Sequence, residues 1–141
     1  MILADTNVLS ELLRRVPNPD VLAWVTDHQA DLAIATVTLA ELIYGIERLP
    51  AGRRRETLAE GIERIVTTTA SARLLPFDDA AARLYGTVRA TRESKGLVAA
   101  PEDLMIAATA LAGGHAVATR NVAHFEYAGL ELINPWSPDG A

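Results

Sequence analysis

The stretch MILADTNVLSELLRR, residues 1–15, decides the fold. Its first four residues make an apolar run short enough for a buried strand. From residue 7 onward, Val8, Leu9, Leu12 and Leu13 fall at helical spacing. Strand therefore gives way to helix across residues 5–7, and the charged residue at that junction is Asp5.

The same alternation continues along the chain. Asn18 caps a second short helix that begins at Pro19 and holds Leu22, Trp24 and Val25, and residues 32–36 read as a strand. Thr38 is expected to open a helix reaching about residue 48. Pro50, Ala51 and Gly52 then break the chain before an Arg-rich helix ending near residue 66. Residues 74–77 read as a brief extended segment and residues 78–95 as a long helix ended by Gly96. Pro101 suits the first position of a helix that Gly113 and Gly114 stop. Residues 115–119 and 130–133 are the last expected strands.

Strands alternating with helices favour an α/β sandwich with a mainly parallel sheet, helices on both faces, and sites gathered beyond the carboxyl ends of the strands. At 141 residues, half of them apolar, the chain is long enough for one core and short for two. One domain is expected over residues 1–136, with a flexible C-terminal tail over residues 137–141.

Composition narrows the chemistry. There is no cysteine, which removes disulfides, thiolate metal sites and cysteine nucleophiles together and leaves oxygen and imidazole for any metal. Thirteen Lys and Arg against 18 Asp and Glu give a net charge of -5, the wrong sign for holding nucleic acid by bulk electrostatics. Any such binding must rest on how the charges are distributed. The opening apolar run meets Asp5 too early for a secretory leader, and charges interrupt every stretch approaching the roughly 18 to 20 residues that span a bilayer. A soluble, cytoplasmic protein without a membrane partner is expected.

Three acids stand out by position. Asp5 follows the first strand, Glu41 is read in the first turn of the helix after the second, and Asp103 lies in the first turn of the helix after Pro101. Each has an ordinary explanation, because acids favour helix N-termini through capping and the macrodipole, and Thr38 to Glu41 has the form of a capping box. Their apolar surroundings place all three at the margin of one core. Carboxylates crowded there repel one another unless a cation shares them, and a donor set made only of oxygen suits Mg²⁺ or Mn²⁺.

The segments MILADTNVLSELLR, VTLAELIYGI, PEDLMIAATA, ATRNVAHF and INPW, in this order and spacing, resemble the successive motifs of PIN-domain ribonucleases of the VapC and FitB type, from the first residue nearly to the last. The resemblance implies a PIN-like three-layer α/β/α sandwich in which Asp5, Glu41 and Asp103 hold one or two Mg²⁺ or Mn²⁺ ions. It also implies a metal-dependent endoribonuclease that cuts RNA as the toxin of a type II toxin-antitoxin pair. The expected assembly is a homodimer bound by a VapB- or FitA-like antitoxin that covers the acidic site, as a heterotetramer or larger.

Relatives often carry a fourth acid where Asn121 or His124 stands here. Asn121 keeps a carbonyl oxygen that can serve a metal or its water and is retained as a site residue, whereas a lone His124 beside Phe125 reads as a loop residue. Relatives often use a hydroxyl near the first acid to help orient the site, and Thr6 is chosen for it here. Arg120, and Arg89 with Arg92 on one helix face, are the candidates for RNA phosphates, and no aromatic base-stacking pattern is legible. One rival reading is a weakly active or inactive PIN-fold binding protein, its chemistry lost at Asn121 and His124. The other is a Mg-dependent phosphatase of the haloacid-dehalogenase kind starting at Asp5, in which Asn7 stands where the mechanism needs a second acid.

Overall fold

The computed structural model describes residues 1–68, 73–127 and 129–137. Along the chain lie β1 (Ile2–Ala4), α1 (Thr6–Leu12), α2 (Pro19–Asp27), β2 (Leu32–Ala35), α3 (Thr36–Glu47), α4 (Arg53–Thr68), β3 (Leu74–Leu75), α5 (Asp79–Ser94), α6 (Pro101–Gly113), β4 (Ala116–Ala118) and β5 (Leu132–Ile133). The strands form one sheet in the order β3-β2-β1-β4-β5, and every neighbouring pair is parallel.

Period-two alternation divides the strands between two cores. Ile2, Ala4, Leu32, Ile34, Ala118 and Ile133 face the side packed by α1 to α4, while Leu3, Ala35, Val117 and Leu132 face α6, against which α5 lies. The expected sandwich with a largely parallel sheet is therefore found, and the sheet is parallel throughout the described residues. Val21 and Trp24 of α2 are buried in the first core. No described helix is long and apolar enough to cross a membrane.

Most of the expected helix ends are present. The Asn18 side chain accepts from the backbone N–H groups of Asp20 and Val21, the Asp78 side chain accepts from Ala81, and Gly114 ends α6 in the left-handed conformation at φ 69°. The exception is the expected capping box at Thr38. Helix α3 starts two residues earlier, directly from Ala35 at the end of β2, with no side-chain cap. The Thr36 hydroxyl instead accepts from Phe77 N–H at 3.3 Å, and the Thr38 hydroxyl is buried without a partner. Glu41 thus sits in the second turn of α3, not the first, and caps nothing. Of the expected C-terminal tail, Ser137 is tied by its N–H to the Asn134 carbonyl at 3.0 Å, and residues 138–141 lie outside the described residues.

Candidate active site

A parallel sheet sends the carboxyl ends of all its strands to one edge, and three junctions meet there. Asp5 follows β1, α3 leaves β2, and Thr119 follows β4. Helix α6 runs back across the sheet before β4 begins, so its first turn, which carries Asp103, returns to the same edge. The result is a cleft of about 490 Å³ whose lining includes Asp5, Thr6, Glu41, Asp103, Arg120 and Asn121. Six of the residues picked from sequence therefore share one wall. Asn7, Ser10, Glu11, Arg14 and Trp136 complete it.

Asp5 is only 3% exposed. One carboxylate oxygen accepts from Thr6 N–H at 2.7 Å and the other from the Thr119 hydroxyl at 2.9 Å. The Thr119 oxygen in turn accepts from Asn121 N–H at 3.1 Å. Burial pushes the Asp5 carboxyl above its ordinary range, with the Asp103 charge adding to the shift, while the bonds from Thr119, Thr6 and Asn7 work against it.

Glu41 is held differently. The Thr6 hydroxyl donates to its carboxylate at 3.0 Å while the Thr6 N–H bonds Asp5, so Thr6 touches both acids, and the Thr119 hydroxyl holds the other Asp5 oxygen. Burial raises the Glu41 carboxyl, Thr6 opposes this, and the charges of Glu102, Asp103 and Asp5 raise it further. Asp103 is also pushed up, by burial first and then by Glu102, against the relief that His124 provides at 3.8 Å.

The donor set fits a hard cation. Three carboxylates, each destabilised in its charged form, face one cleft with an amide oxygen nearby, and every donor is oxygen. Among the described residues no three carboxylate or imidazole side chains close into a ready-made metal cage.

Sequence reasoning passed over Glu11, a buried acid three residues after Val8 and four after Asn7, hence on the same inward face of α1. It accepts from Arg14 and from Asn18 N–H at 3.0 Å each, and these bonds hold its carboxyl below the usual range. Glu11 thereby fastens the α1–α2 connection. Trp136 was legible only within the INPW segment. The Arg120 guanidinium lies 5.2 Å from its ring centroid, on the cleft rim. Arg89 stands away from the cleft, bonded to Glu93 and the Tyr85 hydroxyl, and Arg92 turns to a separate cavity.

The profile of the PIN domain family matches residues 2–130. The chain is 43% identical to the VapC ribonuclease Y4jK of Sinorhizobium fredii, covering 98% of this chain and 99% of that one. It is 38% identical to the toxin FitB of Neisseria gonorrhoeae over 96% of this chain and 99% of FitB. The crystal structure of FitAcB from Neisseria gonorrhoeae superposes with a TM-score of 0.86, at 38% identity and with coverage of 96% of this chain and 99% of that one. With Asp5, Glu41 and Asp103 lining one cleft and this likeness along nearly its whole length, the chain belongs to the PIN domain family, among the toxins of the VapC and FitB type.

Proposed function

We propose that this protein is a divalent-metal-dependent endoribonuclease and the toxin of a toxin-antitoxin pair. The observation that carries the reading is the meeting of Asp5, Glu41 and Asp103 in one cleft of a chain whose relatives are a ribonuclease and a toxin by name. Asp5, Glu41 and Asp103 would hold Mg²⁺ or Mn²⁺, with Asn121 contributing its amide oxygen. When bound, the ion lowers the pKa of water at the site and offsets the charge that grows on the phosphate during hydrolysis.

The chain's own residues do the rest. Thr119 and Thr6 fix the rotation of the Asp5 and Glu41 carboxylates, so the acids need little rearrangement when a cation and substrate arrive. Arg120 and Arg14 stand on the cleft rim, where cations draw a phosphate toward an otherwise acidic site. A basic antitoxin segment complements the same acids and would occlude the cleft of a homodimer that joins its antitoxin as a heterotetramer or larger. The phosphatase reading has less support, because the Asn7 side-chain oxygen accepts from Arg120 N–H at 3.2 Å and braces the cleft where that mechanism requires an acid.

Purified, antitoxin-free protein supplied with Mg²⁺ or Mn²⁺ is expected to cut total cellular RNA into discrete fragments. Folded protein that leaves all RNA intact under both ions would overturn the reading. Thr119→Val, which keeps the shape of a fully buried side chain and removes its hydroxyl, is expected to lower cleavage about 10- to 100-fold, as loss of a bond behind a metal-binding group does. Thr119→Ser should restore most of that loss. Full activity in Thr119→Val would show that the Asp5 carboxylate needs no such brace.

A further inference from the structure

Asp103 forms part of the walls of two cavities. One is the carboxylate cleft; the other, of about 200 Å³, is lined by Arg92, Ala99, Ala100, Ala123 and His124 as well as by Asp103. Arg92 differs from its neighbours on α5. Arg83 pairs with Asp79 and Arg89 with Glu93, each one helical turn away, whereas no acid pairs with Arg92 among the described residues. Its guanidinium instead lies over the Tyr127 ring, 4.5 Å from the centroid, and its Nε is buried with no hydrogen-bond partner.

The Tyr127 hydroxyl is buried without a partner too, and it feels the charges of both Arg92 and Asp103. Two donor atoms, one of them on a cationic side chain, are thus buried with nothing among the described residues to accept from them. Buried donor atoms are rarely left in that condition. The surroundings call for an anionic acceptor small enough for a cavity of about 200 Å³ that Val98 and His124 line along with the alanines.

We propose that this second cavity is a phosphate subsite, which takes the RNA backbone phosphate next to the one held at the carboxylates. The inference rests on the ribonuclease reading. A polynucleotide carries a phosphate at every residue, so a strand with one phosphate at Asp103 must lodge its neighbour close by, and the cavity across Asp103 offers a cation there. A guanidinium fork matches two phosphate oxygens at once, and stacking on Tyr127 holds that fork in one orientation before substrate arrives. Arg120 on Trp136 lies on the rim of the other cavity that Asp103 lines. The strand would then run from Arg120 across the acids to Arg92. Local placement of this kind allows a chain of net charge -5 to bind RNA.

The test is fluorescence anisotropy of a labelled short single-stranded RNA of mixed sequence, titrated in EDTA at several salt concentrations with wild type, Arg92→Gln, Arg92→Lys and Arg83→Gln. Arg92→Gln is expected to bind about tenfold more weakly, with a log–log salt slope shallower by about 0.7, the value of one single-strand phosphate contact. Arg83→Gln, which loses the same charge from the same helix, should match wild type. Should Arg92→Gln fail to fold by thermal melt, Arg92→Lys decides. It keeps the charge but not the fork, and is expected to weaken binding several-fold.

RNA binding unchanged in Arg92→Gln, or in Arg92→Lys where that variant decides, while the wild type cuts RNA, overturns the subsite and leaves the nuclease standing. Unchanged RNA binding together with weakened antitoxin binding would give the cavity to an acidic group of the protein partner, and would overturn the subsite equally. A wild type that neither binds nor cuts RNA removes the ribonuclease reading and the subsite with it.

Discussion

Asp103→Asn is expected to lower RNA cleavage at least about a hundredfold while the protein stays folded. The variant is nearly isosteric and removes only a charge. The Asp103 side chain is 25% exposed, and its one ion-pair partner among the described residues is His124 at 3.8 Å, longer than a hydrogen bond. Burial and Glu102 both disfavour its ionised form, so the fold gains little from that charge. If that charge serves the proposed cation, and through it a reacting phosphate, losses of two to three orders of magnitude follow when such stabilisation is removed.

The competing account makes Asp103 a first-turn acid that serves the α6 dipole, which is worth about 0.3–1 kcal/mol. It expects a lower melting temperature and intact cleavage. The two accounts therefore part on both readouts, activity against the same RNA and thermal unfolding. Asp5→Asn would separate them less cleanly, since both Asp5 oxygens accept hydrogen bonds from the fold itself and an amide reverses one of them.

Divalent metal is expected to decide both activity and stability. Excess EDTA should abolish cleavage, and Mg²⁺ or Mn²⁺ at a hundred times its dissociation constant should stabilise the folded state by about 2.7 kcal/mol. The size of this effect should depend on pH, with a sign set by the three acids. Asp5, Glu41 and Asp103 all have carboxyl pKa values raised above their ordinary 3.8, 4.5 and 3.8. The folded state therefore holds these protons more firmly than the unfolded chain. Without metal, stability contributed by the three groups falls as pH rises from the ordinary carboxyl range through the raised values, and it stays low above them.

Glu11 acts in the opposite sense. Its carboxyl is lowered, so its contribution is present above the ordinary Glu range and is lost as pH falls through the lowered value. Metal-free protein should accordingly melt lower at neutral pH than at mildly acidic pH, and the gain on adding Mn²⁺ should widen as pH rises. Asp103→Asn should melt higher than wild type without metal and gain less from it. A melting temperature indifferent to millimolar Mg²⁺ and Mn²⁺ across this range would sink the metal site.

Much of the candidate site was legible before the structure because its acids sit after a strand or near helix starts at one edge of the sheet. Asp5 follows an apolar run too short to be anything but a buried strand. Asp103 follows a proline that announces a helix start. In a parallel sheet such positions converge whatever the loop details. The residues behind the acids were harder to read. Thr119 and Thr6 are ordinary hydroxyls beside strand and helix ends, and their pairing with Asp5 and Glu41 spans 114 and 35 residues, with no local pattern to mark it. The Thr38 to Glu41 spacing was misleading for a related reason: β2 runs into α3 without a cap, so a local motif yields to tertiary placement.

By itself the sequence determined the α/β alternation, the helix starts at Pro19 and Pro101, the stop at Gly114 and the three acids at one margin of the core. These follow from hydrophobic periodicity and backbone preference, which act over a few residues. The tertiary structure alone decided which hydroxyl serves which acid, that Glu11 is a brace, and that Arg89 spends its charge on Glu93 while Arg92, three residues on, faces a cavity beside Asp103. Helical spacing puts both arginines on neighbouring lines of α5. Only the packing of α5 on α6 and the position of Tyr127 determine what each meets, and that depends on residues far away in the chain.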